Sequence, residues 1–306
     1  MSALSATAPP PVPPLQRAKQ ALIAKASALI LPLARKAAGA YLGGETVDEA
    51  LLVCRRLAGE GHAATLGYWD DGRESAADCI ALYREAMAAL AGEAAYLSLK
   101  PPALRFAPEH ARSVALAAAG TGLRLHCDSH GPEVAEASKL FAEALLEGLP
   151  PEKIGVTLPG RWQRSLADAD WAMGHGFAVR VVKGQWPDAH GGAPGAGFLA
   201  VIERLASGAR LVAVATHDLA LARAAVARLR AAKVPCEIEV LLGMPAAPLL
   251  VWAKDAGVAV RVYVPYGPGF VPNAIGVLRR NPRLLLAVAK ERFGTAAKIL
   301  GLGARP

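Results

Sequence analysis

The chain has 306 residues, of which 53% are hydrophobic and 20% are charged. This composition supplies enough apolar side chains for a large buried core and excludes an intrinsically disordered polymer. The four cysteines, Cys54, Cys79, Cys127 and Cys236, lie far apart in the sequence. Their spacing argues against a disulfide scaffold and a structural zinc site, and it favours a reducing, cytoplasmic environment.

The formal net charge is +8, and a basic balance can indicate nucleic acid or an anionic surface as a partner. The Lys and Arg residues are spread along predicted helices and accompany no finger, helix-turn-helix or aromatic platform, so we expect no nucleic-acid partner. Peripheral contact with the inner face of a membrane is compatible with the charge. We expect no transmembrane helix, because no apolar run reaches the roughly 18 residues that cross a bilayer.

The N-terminal part of the chain divides into two predicted segments. Five prolines fall between residues 9 and 14, and proline lacks an amide donor and restricts the residue before it, so residues 1–14 are predicted to be a disordered leader. Residues 15–60 are predicted to form a helical arm, in which Thr46 and Glu49 make a capping box. Residues 61–306 are predicted to form the main domain.

From residue 63 onward, eight short apolar runs alternate with amphipathic, helix-like stretches. This alternation is typical of parallel strands joined by helices. An open doubly wound sheet usually has a glycine-rich turn after its first strand, and none follows Tyr68. We therefore predict a (β/α)8 TIM-type barrel of the α/β class, preceded by the N-terminal helices. The predicted strands are 63–68, 95–100, 123–127, 153–158, 177–182, 210–215, 236–241 and 258–264.

Polar side chains concentrate at the C-terminal ends of these strands, where (β/α)8 barrels carry their chemistry. Each has an ordinary explanation on its own, since a lysine there is commonly solvated and a histidine can open a helix. Together they predict an anion-binding or redox pocket. The residues are Lys100, His126, Asp128, Arg180, Lys183, Thr216, His217, Tyr263 and Tyr266.

A metal site and a serine or cysteine nucleophile fit the sequence less well than an anion-binding or redox pocket does. His126, Asp128, His130 and His217 offer ligand atoms, but their spacing matches no metal signature and nearby Lys and Arg residues repel a cation. We therefore predict no metal. The sequence contains no Gly-x-Ser-x-Gly elbow, and Cys127 lies in an apolar run, which argues against a serine or cysteine nucleophile.

Four segments of the chain resemble, in order, segments of the proline dehydrogenase family. Residues 179–186, Val-Arg-Val-Val-Lys-Gly-Gln-Trp, resemble its Arg-Leu-Val-Lys-Gly segment. Residues 97–100 resemble its strand ending in a substrate-binding lysine, residues 215–218 its Thr-His segment, and residues 260–267 its last strand. The resemblance covers most of residues 40–290.

This resemblance to the single-function proline dehydrogenases implies an FAD-dependent (β/α)8 barrel enzyme. The implied reaction oxidises L-proline to pyrroline-5-carboxylate by hydride transfer to the flavin, and the electrons then pass to a quinone. Lys100, Arg180 and Tyr263 are the implied catalytic residues: Arg180 lies beside the flavin, Lys100 binds the substrate carboxylate and Tyr263 walls the pocket. The implied cofactor-binding residues are Arg180, Lys183, Gly184, Trp186, Thr216 and His217.

The substrate side departs from the family pattern. An ungapped register places Gly276 and Val277 where the family has an adjacent arginine pair. Arg279 and Arg280 follow three residues later, close to one helical turn, so a shifted helix would restore the pair.

Four further positions differ from the family: His126 stands at an aspartate, Glu239 and Pro159 at glutamines, and Asn273 at a tyrosine. The expected substrate-binding residues are accordingly Lys100, His126, Arg279 and Arg280. Two alternatives stay open: a divergent flavoenzyme that oxidises another small amine or imino acid, and a barrel that binds FAD or a partner without turnover.

Overall fold

Eight parallel strands close into a barrel in the computed structural model, which describes residues 43–269. Each strand pairs with the next along the chain, and the last pairs with the first. The strands are β1 (Ala63–Tyr68), β2 (Ala95–Leu99), β3 (Arg124–Cys127), β4 (Ile154–Pro159), β5 (Ala178–Val182), β6 (Val212–Ala215), β7 (Cys236–Leu241) and β8 (Val260–Tyr266). The predicted (β/α)8 barrel is confirmed. The leader at 1–14, residues 15–42 of the arm, Arg279 and Arg280 lie outside the described residues.

Helices connect the strands and surround the barrel. They are α1 (Val47–Gly59), α2 (Ala76–Ala89), α3 (Pro108–Ala118), α4 (Ala135–Ala144), α5 (Ser165–His175), α6 (Pro194–Leu205), α7 (Leu219–Ala231) and α8 (Ala247–Asp255). None of the helices within residues 43–269 is long and apolar enough to cross a membrane.

The α1 helix begins at the predicted capping box. The Thr46 side chain accepts from the Glu49 amide, and the Glu49 carboxylate accepts from the Thr46 amide. Its buried face, which includes Leu51, Cys54 and Leu57, packs against β1 and β8. The helix therefore covers the seam where the barrel closes.

Residues 132–149, which lie between the third and fourth predicted strands and have a helix-like pattern in the sequence, do not form one continuous helix. They consist of α4 between two 3-10 turns, Pro132–Val134 and Leu145–Glu147. Pro132 lies in the first turn, where its missing amide costs no helical hydrogen bond. The stretch ends at Gly148, whose amide donates to the Leu145 carbonyl.

The β8 strand begins and ends two residues later than predicted. Gly257 has a positive φ of 60° and ends the α8 segment, and the Val258 amide then donates to the Ala253 carbonyl. Val258 therefore belongs to the helix-ending turn. At the other end, the Pro265 carbonyl accepts from the Gly43 amide, which lies next to α1.

The barrel has an apolar outer layer and a polar interior. Leu66, Leu97 and Leu125 are fully buried between strands and helices. Neighbouring positions on the same strands face inward, because side chains alternate along a strand. The inward side chains form hydrogen bonds between strands that are not neighbours, as between Arg180 on β5 and Glu239 on β7. The interior is therefore a charged, hydrogen-bonded core.

A first polar layer fills the N-terminal end of the barrel. Arg261 donates to Glu237 from Nε (2.7 Å) and Nη2 (3.1 Å), and its guanidinium carbon lies 3.4 Å from the centre of the Tyr96 ring. Arg124 donates to the Tyr96 hydroxyl from the other side. Arg261 and Glu237 are about 95% and 93% buried. This layer forms the floor beneath the open end.

Candidate functional site

The Asp128 carboxylate is the centre of a cluster at the C-terminal mouth of the barrel. Its Oδ1 accepts from Ser98 Oγ (2.6 Å) and Arg180 Nη1 (2.7 Å). Its Oδ2 accepts from Tyr263 Oη (2.8 Å) and Lys100 Nζ (3.5 Å). Burial opposes ionisation of this carboxyl, but the charges of Lys100 and Arg180 outweigh it and lower the pKa of Asp128. The carboxylate therefore stays ionised and holds four donors in place.

The local fold explains why these groups meet. Lys100 and Asp128 come directly after β2 and β3, and the Asp128 amide extends the sheet by donating to the Leu99 carbonyl. Arg180 on β5 and Tyr263 on β8 point into the barrel from the other side, as their bonds to Asp128 show. The sequence-predicted catalytic residues, Lys100, Arg180 and Tyr263, are brought together here.

Arg180 is shared between two carboxylates. Its Nε and Nη2 donate to the two oxygens of Glu239, both at 2.8 Å, while Nη1 donates to Asp128. Burial alone would lower the pKa of Arg180, but Glu239 and Asp128 more than compensate and raise it. The arginine is permanently charged and fixed in orientation. We refer to Lys100, Asp128, Arg180, Glu239 and Tyr263 as the mouth cluster.

Lys100 is more exposed than Arg180, the other cation of the mouth cluster. Its ammonium lies 4.8 Å from the centre of the Trp69 ring, and 16% of its side chain is exposed. Trp69 Nε1 in turn donates to Tyr263 Oη at 3.4 Å. Burial lowers the pKa of Lys100, while the charge of Asp128 opposes that effect. An ammonium between two aromatic residues at the mouth can meet a small ligand.

His126 lies one layer deeper than the mouth cluster. Its Nε2 is 3.0 Å from Thr157 Oγ1, and the residue is 3% exposed. Burial, together with the charge of Arg180, lowers the pKa of His126 well below its usual value, so the ring is neutral. Gly155 makes room for it, because a Cβ there would lie 2.2 Å from His126 Nδ1. The structure thus places this expected substrate-binding residue beneath the pocket.

The segment after β5 carries three of the expected cofactor-binding residues. Lys183 Nζ lies 3.2 Å from the Asp218 carboxylate, and about 44% of the Lys183 side chain is exposed. Gly184 has a positive φ of 97°, and a Cβ at this position would lie 2.9 Å from both Pro159 Cβ and Arg161 Cγ. The Trp186 ring lies 5.7 Å from the His130 ring, centre to centre.

His217 joins the loop after β6 to the end of β7, while Thr216 makes a local turn. The Thr216 hydroxyl accepts from the Asp218 amide at 3.2 Å. His217 Nδ1 lies 3.2 Å from the Pro245 carbonyl, and its Nε2 lies 3.1 Å from the Leu241 amide. Because the amide is a donor, Nε2 must be the acceptor and Nδ1 carries the proton. Both ring nitrogens are thus engaged within the protein.

The cations on this rim fit the phosphate groups of a cofactor. Lys183 is a half-exposed cation, and its surface pair with Asp218 is weak enough to exchange for a phosphate. Arg161 adds a second cation, held by Nη1 bonds to the Gly184 and Gln185 carbonyls. The His217 ring nitrogens do not contribute to this fit, because protein atoms already bond them.

The sequence places Asp128 among the polar groups of the predicted pocket and marks Glu239 as a departure from the family, but it assigns a role to neither. It does not single out Ser98 or Trp69. The available signal was spacing, since Ser98 and Lys100 lie two positions apart and share one side of the strand. Within residues 43–269, no three His, Cys, Asp or Glu side chains gather as a metal site.

Comparisons with known proteins find similarity to solved structures only. No protein-family model matches this chain, and no curated protein matches it. A proline utilization A (PutA) from Bdellovibrio bacteriovorus, inactivated by N-propargylglycine, is similar with a TM-score of 0.70 and 20% identity, over 79% of this chain and 32% of that one.

Two further PutA structures agree. One, with proline bound in remote sites, has a TM-score of 0.64 and 20% identity, over 82% of this chain and 31% of its own. A bifunctional PutA has a TM-score of 0.62 and 20% identity, over 82% of this chain and 30% of its own. This chain spans about a third of the length of these proteins. It shares the barrel fold of that part of the PutA proteins.

Proposed function

We propose that this chain is an FAD-dependent oxidoreductase similar to proline dehydrogenase, with L-proline as its substrate. The mouth cluster is the observation that carries the proposal. Lys100, Arg180 and Tyr263 come from three separate segments that resemble the family, and all three bond to the Asp128 carboxylate. Similarity in fold to PutA structures supports the same proposal.

The substrate side of the proposal follows from Lys100 and its aromatic neighbours. A partly exposed ammonium at the mouth suits a substrate carboxylate through a charge-assisted hydrogen bond. Trp69 and Tyr263, which are joined by a 3.4 Å hydrogen bond, offer apolar ring surface to the body of a small imino acid. Asp128 already accepts four donors and stays ionised, so its role is to orient Lys100, Arg180 and Tyr263 rather than to accept a proton.

The cofactor side of the proposal uses the rim after β4 and β5. Lys183 and Arg161 would hold the phosphates, and the Trp186 ring would cover part of the cofactor. FAD, when bound, would supply the acceptor for a hydride from the carbon next to the substrate nitrogen. Arg180, fixed by Glu239 and Asp128, would keep a constant hydrogen-bonding geometry at the mouth of the barrel. A quinone would serve as the final electron acceptor.

The test is an equilibrium titration of the full chain with FAD, followed by anaerobic addition of L-proline. The proposal predicts saturable FAD binding and loss of the oxidised flavin band after proline is added. Lys183→Met should weaken FAD binding, whereas Lys153→Met, which removes a lysine from the opposite end of the barrel, should leave it unchanged. A chain that binds no FAD would refute the proposal.

A second candidate is oxidation of another small amine or imino acid, because the mouth cluster carries no net charge that would select for a carboxylate. Its two cations, Lys100 and Arg180, are balanced by the carboxylates of Asp128 and Glu239. A neutral pocket is compatible with amines that lack a carboxylate. Bleaching of the flavin by pyrrolidine or a primary amine, with no response to L-proline, would select this alternative.

A further inference from the structure

Glu239 acts in the proposed reaction only through Arg180, with which it makes a bidentate pair. Both of its carboxylate oxygens accept from the guanidinium at 2.8 Å. The two side chains are only 4% and 5% exposed. A buried bidentate pair fixes the plane as well as the position of the guanidinium. Arg180 therefore cannot turn toward a ligand without breaking this pair.

Glu239 also determines the charge of the mouth cluster. Tyr263 is neutral, because burial and the nearby Asp128 raise its pKa well above the usual value. The cluster then holds two cations and two carboxylates, and its formal charge is zero. Without Glu239 the same side chains would carry one positive charge, in a buried setting where a unit charge acts strongly on a ligand.

We propose that Glu239 is a positioning and specificity-determining residue, which holds Arg180 against Asp128 and cancels its charge, so that the mouth accepts neutral or zwitterionic small molecules and disfavours anions. This inference rests on the proposed function only in taking the mouth as the place where a small molecule binds.

Glu237 provides a matched control. It lies two residues earlier on β7 and makes the same kind of buried pair, accepting from Arg261 Nε at 2.7 Å and Nη2 at 3.1 Å. This pair lies at the floor, the opposite end of the barrel interior. Glu237→Gln thus removes the same charge from the same kind of pair, away from the mouth.

The experiment measures sulfate binding to the FAD-free full chain by titration calorimetry at constant ionic strength. Wild type, Glu239→Gln and Glu237→Gln are compared. Glu239→Gln leaves the mouth with one positive charge, so we expect it to bind sulfate about tenfold more tightly than wild type. Glu237→Gln should match wild type. Equal affinities for wild type and Glu239→Gln, or an equal gain in both variants, would overturn the inference.

An FAD titration of the same three proteins keeps the two proposals separate. If none of them binds FAD, the proposed function fails, while the sulfate comparison still decides the role of Glu239. If all of them bind FAD without a difference in sulfate affinity, the proposed function stands and the role of Glu239 is rejected.

If Glu239→Gln does not fold, a double variant tests the same role. It combines Arg180→Gln with Glu239→Gln and so removes both charges of the pair. A double variant at least as stable as Arg180→Gln alone supports the inference, because Glu239 is then needed only to neutralise Arg180. A double variant less stable than Arg180→Gln alone contradicts it, because Glu239 would then be required for some other contact.

Discussion

The phenol of Tyr263 on the last strand donates to Asp128, 135 residues earlier in the chain, at 2.8 Å across the mouth of the barrel. This bond joins β8 to the end of β3 through the barrel interior. The same Asp128 carboxylate also accepts hydrogen bonds from Lys100 and Arg180. The arrangement of the candidate site thus depends on one carboxylate.

Asp128→Asn should therefore be strongly destabilising. The substitution leaves Arg180 and Lys100 buried with one carboxylate fewer, and breaking a buried ion pair typically costs about 3–5 kcal/mol. Denaturant unfolding measures the loss. Asp170→Asn is the matched control, because it removes an aspartate from an exposed arginine pair with Arg204, and it should change stability little. Similar losses in both variants would contradict the role assigned to Asp128.

Tyr263→Phe removes only the hydroxyl that donates to Asp128. The ring should keep its place 5.3 Å from the Arg180 guanidinium, while Asp128 loses one of its four donors. A hydrogen bond to a charged group contributes about 1.5–3 kcal/mol, so unfolding should become easier by an amount in that range. An unchanged free energy of unfolding would show that the hydroxyl is not needed to hold Asp128.

His126 should make stability depend on pH. Its pKa is lowered well below 6.5 in the folded chain because the ring is buried and close to Arg180. Below pH 6.5 the unfolded chain binds a proton that the folded chain rejects, so stability falls as the pH falls. Between about pH 6 and pH 5, this contribution approaches about 1.4 kcal/mol per pH unit.

His126→Gln should remove that part of the slope. His130, whose pKa burial lowers to about 4, acts in the same direction and remains in the variant as a residual dependence. Unfolding free energies of both proteins at several pH values measure the difference. Parallel curves for wild type and His126→Gln would show that His126 is not held neutral.

Gly184→Ala tests the rim where the cofactor is proposed to bind. Both Gly184 and Gly72 have a positive φ, 97° and 83°, so alanine at either position meets the left-handed backbone penalty of about 1–2 kcal/mol. Only at Gly184 would the new Cβ press on Pro159 and Arg161. We expect Gly184→Ala to weaken FAD binding about tenfold and Gly72→Ala to leave it unchanged. Equal FAD affinity in both variants would show that the loop at Gly184 takes no part in FAD binding.

The barrel could be predicted from sequence because its strands repeat regularly. Runs such as 63–68 and 236–241 coincide with β1 and β7 to the residue. Two of the errors fell where glycine or proline decides local structure, at Gly257 before β8 and Pro132 before α4, and β6 begins two residues later than predicted. These boundaries depend on how a helix or strand begins and ends, which periodicity does not show.

The site was predictable only where each residue carried a signal of its own. Lys100 directly follows β2, and Arg180 and Tyr263 lie within β5 and β8. All three belong to segments that resemble a known family. The central role of Asp128 depends on which strands face each other across a closed barrel, and no local pattern contains that information. The pairing of Glu239 with Arg180 likewise joins β7 to β5, which are not neighbours.

The most direct measurement is the visible spectrum of the FAD-loaded chain under anaerobic conditions, before and after L-proline is added, for wild type and Lys100→Met. The account predicts that wild-type flavin bleaches, and that Lys100→Met retains FAD but bleaches only at much higher proline concentration or not at all. Wild-type flavin that remains oxidised in saturating L-proline would contradict proline oxidation. Equal bleaching of the two proteins would remove Lys100 from the substrate site.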